Sequence, residues 1–277
     1  MRVGFVGLGS QGGGIARAIA RAGFPLALFA RRPQALEAFA ALGAARAASL
    51  PELAAGCDLV GVCVGSDADV EAVVRAEPAG LLAGLRPGSC LAVHSTVHPE
   101  TCRRLAREAR ARGVALLDAP VSGGGELALA GRLAVMVGAE PAAFERCRPV
   151  FESFGNPVRR VGEVGSGQLC KLVNNLLLSA QLELGREACA LAARLGIERS
   201  ALLDLLRASS GRSYALELLP LLDDRARAPQ AFGNLIKDTA LLRDVARAAG
   251  APATGLEAAA LRLSAELERL LQRGAPC

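Results

Sequence analysis

Two polar side chains, Lys171 and Asn175, lie four residues apart in an apolar run that opens with the sequence GSGQLCKLVNN, residues 165–175. In a helix this spacing places both side chains on one face, with their Cβ atoms about 6 Å apart. An amine and an amide that face the same way in apolar surroundings indicate a pocket for a polar ligand. The alternative interpretation is a solvated helix face.

A glycine-rich turn near the start of the chain is a second candidate binding site. It consists of Gly7, Leu8, Gly9, Ser10, Gln11 and Gly12. An apolar run precedes it at residues 2–6, and the helical run IARAIARAG follows it. In this context G-x-G-x-x-G predicts dinucleotide binding, because its glycines permit a tight turn, close approach of a pyrophosphate and close packing of helix on strand. The alternative is a glycine-rich turn without a ligand.

Two arginines, Arg31 and Arg32, follow the second predicted strand at residues 25–29. A dinucleotide-binding domain that uses NAD places an acid here to bind the ribose 2′-hydroxyl. The next acid in this chain is Glu37. Two guanidinium groups would attract a 2′-phosphate instead, so we predict NADP in preference to NAD. The alternative is that the arginines only solvate the end of the strand.

Apolar strands then alternate with helices through the first part of the chain. Further strands are predicted at residues 59–64, 89–93, 114–117, 133–137 and 158–161, and helices at 33–42, 69–75, 99–112 and 141–151. This alternation predicts an α/β Rossmann domain, a doubly wound and mostly parallel sheet covered by helices on both faces. The turns at 7–12, 30–32, 64–67, 95–97 and 118–125 all follow strands, so they are expected to line one ligand cleft, with Val64 and Gly65 on its cofactor side.

The turn at 118–125 ends in Ser122, Gly123, Gly124 and Gly125. Consecutive glycines allow backbone N–H groups to converge on an anion, and Ser122 adds a hydroxyl. We predict that a substrate carboxylate binds there. A flexible loop is the alternative.

The character of the chain changes after Gly165. The remainder predicts helices at 167–194, 198–208, 213–222, 231–249 and 253–272. We therefore predict a Rossmann domain at 1–163 and an all-α C-terminal domain at 164–277, joined by the long first helix. Lys237 and Asp238 form a polar pair in the second domain, where such a pair is more often a surface ion pair than a site.

Composition limits the other classes of function. The 277 residues carry a net charge of +5 from arginines dispersed among acids, which does not indicate nucleic-acid binding. The eight cysteines contain no C-x-x-C pair, and His94 and His98 complete no ligand set, so we expect no metal and no disulfides. No apolar run reaches the ~18 residues of a membrane helix. We expect a cytoplasmic protein without a membrane partner.

Taken in order, these motifs resemble the β-hydroxyacid dehydrogenase family, which includes 3-hydroxyisobutyrate and tartronate semialdehyde dehydrogenases. The sequence VGFVGLGSQGGG is similar to the cofactor motif of the family, DAPVSGG at 118–124 to its substrate loop, and GSGQLCKLVNN to its catalytic helix. The dipeptide KD at 237–238 matches a C-terminal motif. The resemblance covers nearly the whole chain.

The resemblance implies a role for each motif. Lys171 would be the general acid/base in hydride transfer between the nicotinamide and a small 3-hydroxy acid or its semialdehyde, and Asn175 would bind the substrate hydroxyl. An ordinary lysine pKa near ~10.4 suits that role poorly, whereas apolar burial would lower it. The remaining positions are Ser122, Gly123 and Gly124 at the substrate carboxylate, Thr96 near the nicotinamide ribose, Lys237 at the cofactor and Asp238 beside the substrate. A homodimer or homotetramer is also implied.

Several residues depart from the family pattern. Gln11 replaces a usual methionine, and His94 stands where an acid often precedes Ser-Thr-Val. These departures affect the choice of substrate more than the reaction. We therefore keep two alternatives to a 3-hydroxyisobutyrate dehydrogenase-like enzyme: a reductase of succinic or glyoxylic-type semialdehydes, and a non-catalytic NADP-binding module.

Overall fold

The computed structural model describes residues 1–76, 78–224, 227–251 and 254–273. Ala253, the first residue of a predicted helix, and Cys277 lie outside these ranges. The chain divides into two compact units, Met1–Lys171 and Leu172–Cys277. This division falls inside the long helix Ser166–Arg194, eight residues after the end of the predicted Rossmann domain at 163.

One sheet organises the first unit. Its strands in the described residues are β1 (Val3–Val6), β2 (Leu26–Phe29), β3 (Ala45–Arg46), β4 (Leu59–Val62), β5 (Cys90–Val93), β6 (Ala115–Asp118), β7 (Val121–Ser122), β8 (Leu133–Gly138) and β9 (Gly155–Gly162). Their order is β3-β2-β1-β4-β5-β6-β8-β7, with β9 beside β8. The first six run parallel, and β8 is antiparallel to β6 and β7. The predicted doubly wound, mostly parallel sheet is confirmed.

Helices cover both faces of this sheet. They are α1 (Ser10–Arg21), α2 (Leu50–Ala55), α3 (Asp67–Arg75), α4 (Leu81–Gly84), α5 (Pro99–Arg110), α6 (Gly124–Leu129) and α7 (Pro141–Glu152). Alternate residues of a strand point to opposite faces. Accordingly, Cys90 and Ala92 of β5 enter a core with Ile15 and Phe151, while Leu91 and Val93 enter a separate core with Val70, Leu105 and their neighbours. Burial on both faces explains why the strands are continuously apolar.

The structure adds detail to the predictions for two segments of the first unit. The helix predicted at 33–42 is present with these bounds, as the 3₁₀ helix Pro33–Leu42. Its alanine-rich sequence suits either helix, so composition could not settle the hydrogen-bond spacing. The alternative of a flexible loop at 122–125 does not hold, because Ser122 ends β7 and Gly124 begins α6. The short elements β3, α2, α4 and α6 were not predicted, since each offers too few residues to show a period.

The second unit is helical, as predicted. Helix α8 (Ser166–Arg194) begins in the first unit, and α9 (Arg199–Ala208), α10 (Tyr214–Asp223), α11 (Ala228–Ala248) and α12 (Gly255–Arg273) follow it. Leu182 of α8, Leu203 of α9, Leu219 of α10 and Leu263 of α12 meet in one core. Among the described helices, none is both long enough and apolar enough to cross a membrane.

Candidate active site

The glycine turn after β1 packs directly against the turn after β4. Gly7 has a φ of 93°, and a Cβ added there would lie 2.6 Å from the carbonyl carbon of Cys63. A Cβ at Gly12 would overlap the carbonyl oxygen of Gly7 and lie 3.1 Å from the Cβ of Cys63. The chain turns to opposite sides of the sheet between β1 and β4, which is where doubly wound sheets bind ligands. Glycine is therefore required at both positions by the protein itself.

Gly9 differs from its two neighbours because a Cβ there would meet no atom within 4 Å. This exposed residue is the N-cap of α1, whose first turn carries no acid, and no side chain in the described part of the chain caps it. The first N–H groups of a helix need partners from outside the helix, and they favour an anion. Open space in front of these donors fits the pyrophosphate of a dinucleotide. Leu8, Ser10 and Gln11 complete the turn.

The two arginines after β2 lie at the edge of the sheet next to this turn. β2 pairs in parallel with β1, so both strands end at the same edge. Arg31 and Arg32 are exposed, and Glu37 is exposed on the 3₁₀ helix that follows. Both guanidinium groups are thus accessible to a ligand that approaches Gly9.

The turns after β4 and β5 are joined by a buried serine. The Oγ of Ser95 accepts a hydrogen bond from the backbone N–H of Val64, at 2.8 Å. Ser95 is buried, whereas Val64 and Thr96 are half-buried and Gly65 is exposed. The predicted cofactor contacts Val64, Gly65 and Thr96 therefore lie next to a hydrogen bond that joins the turns after β4 and β5.

His94, which departs from the family pattern, belongs to the core. Its ring stacks on Phe5 and meets Phe151 and Phe154 edge-on. Its Nδ1 lies 2.8 Å from the carbonyl oxygen of Ala119, so Nδ1 carries the proton and donates it. Burial lowers the pKa of His94 to about 4, which keeps the ring neutral at physiological pH.

The predicted substrate segment follows β6. Ser122 is half-buried and pairs with Ala134 of β8. Gly123 is the N-cap of α6, and Gly124 is exposed in its first turn. Gly125 packs against α1, because a Cβ there would lie 2.6 Å from the carbonyl oxygen of Ser10. Strand and helix thus place Ser122, Gly123 and Gly124 close to the N-terminus of α1.

Lys171 and Asn175 are buried in α8, at 8% and 6% exposure. The Nδ2 of Asn175 donates to Asp238 Oδ2 at 2.6 Å, and its Oδ1 accepts from Asn174 at 3.0 Å. Because a carboxylate can only accept, these contacts fix which side of the amide is nitrogen. Asp238 is 2% exposed, and its other oxygen lies 3.3 Å from Lys237 Nζ. The pair at 237–238 is therefore half-buried, which the expectation of a surface ion pair did not foresee.

Two further buried polar residues meet at the start of α8 and were not singled out from the sequence: Asp118 at the end of β6 and Gln168 in α8. Asp118 ends β6 and accepts hydrogen bonds from the N–H groups of Gly165 and Gln168, at 2.6 and 2.8 Å. Burial raises the pKa of Asp118 to about 7, although these donors lower it. One signal in the sequence could have identified Gln168: its amide precedes Lys171 by three residues in an apolar helix, which places both side chains on the same face.

Comparison with known proteins agrees with this architecture. Residues 2–165 match the family model of the NAD binding domain of 6-phosphogluconate dehydrogenase. Residues 165–274 match the model described as the NAD-binding region of NADP-dependent 3-hydroxyisobutyrate dehydrogenase.

Individual relatives cover most of the chain. An NAD-dependent L-serine dehydrogenase of Pseudomonas aeruginosa is 35% identical, with 95% of this chain and 90% of the relative aligned. A 3-hydroxyisobutyrate dehydrogenase of the same species is 36% identical over 78% of this chain and 72% of its own. The solved structure of Mycobacterium tuberculosis 3-hydroxyisobutyrate dehydrogenase with L-serine superposes with a TM-score of 0.84 and 28% identity, covering 99% and 100% of the two chains. The chain therefore belongs to the β-hydroxyacid dehydrogenase family and is an NAD(P)-dependent oxidoreductase that acts on hydroxyacids.

Proposed function

We propose that this enzyme interconverts a small 3-hydroxy acid and its semialdehyde, prefers NADP, and uses Lys171 as general acid/base. The observation that carries the proposal is the burial of Lys171 and Asn175, one helical turn apart on α8. A buried amine and a buried amide need polar partners, and we propose that the substrate oxygen is one of the groups they bind.

The amino-acid usage of the chain supports the choice of Lys171. The chain has 32 lysine and arginine residues, and only Lys171 and Lys237 are lysines. An arginine stays protonated in proteins, whereas a lysine amine can release and regain a proton. Both lysines therefore stand in motifs that resemble those of the family. At position 171 the proposed reaction needs a group that exchanges protons, which a lysine can do and an arginine cannot.

The residues of the chain then divide the work. When bound, the nicotinamide supplies hydride acceptance or donation at the carbon that carries the hydroxyl. Lys171 Nζ accepts the hydroxyl proton during oxidation and returns it to the carbonyl oxygen during reduction. Asn175 holds that oxygen, with its amide oriented by Asp238 and Asn174. Such a proton transfer contributes typically 10²–10⁴-fold to a rate.

The other proposed contacts are assigned by motif. Ser122, Gly123 and Gly124 hold the substrate carboxylate, and Asp238 lies at the substrate. On the cofactor side are Gly7, Leu8, Gly9, Ser10, Gln11, Gly12, Arg31, Arg32, Val64, Gly65, Thr96 and Lys237.

The proposed substrate class rests on the substrates named for two relatives, an L-serine dehydrogenase and a 3-hydroxyisobutyrate dehydrogenase. L-serine and 3-hydroxyisobutyrate both carry a primary alcohol on the carbon β to a carboxylate. We propose the same arrangement for the substrate here. NADP is preferred because Arg31 and Arg32 follow β2 where an acid would serve NAD. NAD is the alternative, since one relative is named NAD-dependent.

The test is absorbance at the nicotinamide band with NADP or NAD and a panel of short 3-hydroxy acids, including L-serine, and semialdehydes. Turnover of a 3-hydroxy acid with higher kcat/KM for NADP supports the proposal. Turnover confined to succinic or glyoxylic-type semialdehydes indicates the reductase instead. Tight NADPH binding without turnover across the panel would identify a non-catalytic module.

We also propose a homodimer or homotetramer. Val173, Leu177, Leu184 and Leu191 lie on one face of α8 and are 52%, 46%, 53% and 50% exposed. Their spacings of four, seven and seven residues form a continuous stripe along the helix. An apolar stripe of this length is typical of a helix that packs on another chain.

A further inference from the structure

The buried amide of Gln168 is held on both sides by the turn after β5. Gln168 is fully buried. Its Oε1 accepts from the N–H of Val97 at 3.1 Å, and its Nε2 donates to the carbonyl oxygen of Ser95 at 2.9 Å. These two backbone groups flank Thr96. One side chain of α8 therefore fixes the backbone on either side of a proposed cofactor contact.

Asp118 fixes the same end of α8 from the neighbouring strand. Each of its carboxylate oxygens accepts one N–H, from Gly165 and from Gln168. A Cβ added at Gly167 would lie 2.9 Å from Asp118 Oδ2 and 2.7 Å from its carbonyl oxygen. The first turn of α8 is thus pressed against the end of β6 and cannot rotate freely.

These contacts form one continuous network. Val64 donates to Ser95, Ser95 accepts from the Gln168 side chain, and the Gln168 backbone donates to Asp118. Lys171 follows Gln168 by three residues in α8, so the two side chains emerge about 5–6 Å apart at Cβ. A shift of this turn of the helix would move Lys171 relative to the turns after β4 and β5.

We propose that Gln168 and Asp118 are positioning residues for the reaction, which set Lys171 at a fixed distance from the backbone around Thr96. The inference rests on the proposed function, because it takes Lys171 as the general acid/base. Neither residue touches the reacting atoms in this scheme. Proton transfer requires close alignment of donor and acceptor, so a displacement of about 1 Å costs on the order of 10²-fold in rate.

The substitution Gln168→Glu tests the proposal with little change in shape. An ionised carboxylate still accepts from Val97, but its second oxygen faces the carbonyl oxygen of Ser95 and repels it. A protonated carboxyl donates to that oxygen again. Burial and a nearby carboxylate both raise the pKa of an introduced carboxyl. Cys102 on α5 hydrogen-bonds the Gln168 side chain, and the charged groups that act on Cys102 or Asp118 are Asp67 on α3 and Arg103 on α5. Lys171 lies three residues further along α8.

We expect kcat per folded molecule to fall about 10²-fold in Gln168→Glu at pH 8. The dissociation constant for NADPH, measured by fluorescence, should stay near that of the wild type. The ratio of variant to wild-type kcat should rise as the pH is lowered, because protonation restores the missing donor. Gln181→Glu is the matched control, since Gln181 is half-buried further along the same helix. It should leave kcat and its pH profile unchanged.

Three results are decisive. Wild-type kcat in Gln168→Glu, at a pH high enough to ionise the introduced carboxyl, overturns the inference. A loss of activity that only follows a loss of folded protein, with a ratio independent of pH, also overturns it, because that result indicates a purely structural role. Lys171→Ala, assayed alongside, separates the two proposals. If it abolishes turnover while Gln168→Glu does not change kcat, only the positioning role fails. If Lys171→Ala keeps wild-type turnover, the proposed function fails first.

Discussion

Gly12→Ala should destabilise the fold, whereas Gly9→Ala should weaken cofactor binding and leave the fold stable. At Gly12, a methyl group would overlap the carbonyl oxygen of Gly7 and press on Cys63. Overpacking against backbone costs about 1–3 kcal/mol or more, which exceeds the gain of up to about 1 kcal/mol from placing alanine in a helix. In a chain of this size 1 kcal/mol shifts Tm by about 2–4 °C, so a net cost of about 2 kcal/mol should lower Tm by about 4–8 °C.

At Gly9 the same methyl group meets no protein atom, and the backbone, with φ −67° and ψ −172°, suits alanine. Surface changes of this kind alter stability by about 0.5 kcal/mol or less. The methyl group would instead occupy the space proposed for the pyrophosphate. We expect NADPH affinity to fall by about tenfold or more, equivalent to about 1.4 kcal/mol.

The assay is thermal unfolding of the apoprotein, combined with titration of NADPH by fluorescence. Gly12→Ala should lower Tm, and Gly9→Ala should weaken binding while Tm stays constant. Wild-type NADPH affinity in Gly9→Ala would refute the placement of the cofactor at this turn. An unchanged Tm in Gly12→Ala would refute the close packing of the turn against β4.

Three further predictions concern other parts of the chain. Arg31→Asp should weaken NADPH binding by about 10–100-fold and favour NADH, because a charged hydrogen bond of about 1.5–3 kcal/mol is lost; undiminished NADPH affinity contradicts this. The double substitution of Leu184→Asp and Leu191→Asp should convert the oligomer to a monomer in light scattering, because burial of each leucine side chain contributes about 1.5–3 kcal/mol. An unchanged mass would show that this face of α8 is not the interface. Burial raises the pKa of Asp118 to about 7 from an ordinary 3.8, so its contribution to stability is complete below pH 4 and declines as pH rises to about 7. The stability advantage of wild type over Asp118→Asn in urea unfolding should therefore shrink across that range, and an advantage that grows with pH would contradict it.

The sequence was sufficient for the main architecture because each major element has a strong signal. Strands buried on both faces appear as apolar runs, and the period of the C-terminal helices is clear over many turns. α8 was predicted at 167–194 and runs over Ser166–Arg194. The two-residue strand β3 and the short helices α4 and α6, of four and six residues, were missed because a helical period or a strand pattern needs more residues than they have.

For the candidate site, the sequence predicted single residues but not the contacts between residues that are far apart in the chain. Glycines and a lysine in motifs are visible in the sequence, but their partners lie far along the chain. Asp118 contacts residues 47 and 50 positions away, and Gln168 contacts residues 71 and 73 positions away. No local pattern encodes such pairs. Local composition also could not show that Asp238 is buried against Asn175, 63 positions away.

The most direct test of the central claim is single-turnover hydride transfer in Lys171→Ala and Lys171→Arg, with and without added small primary amines. We predict that both variants bind NADPH normally and lose at least ~10²-fold in rate, as expected for loss of a general acid/base. Amines should restore the rate of Lys171→Ala in proportion to their concentration, but not that of Lys171→Arg, whose guanidinium fills the site and stays protonated. Turnover near the wild-type rate in Lys171→Ala would contradict the account, because Lys171 would then be only structural.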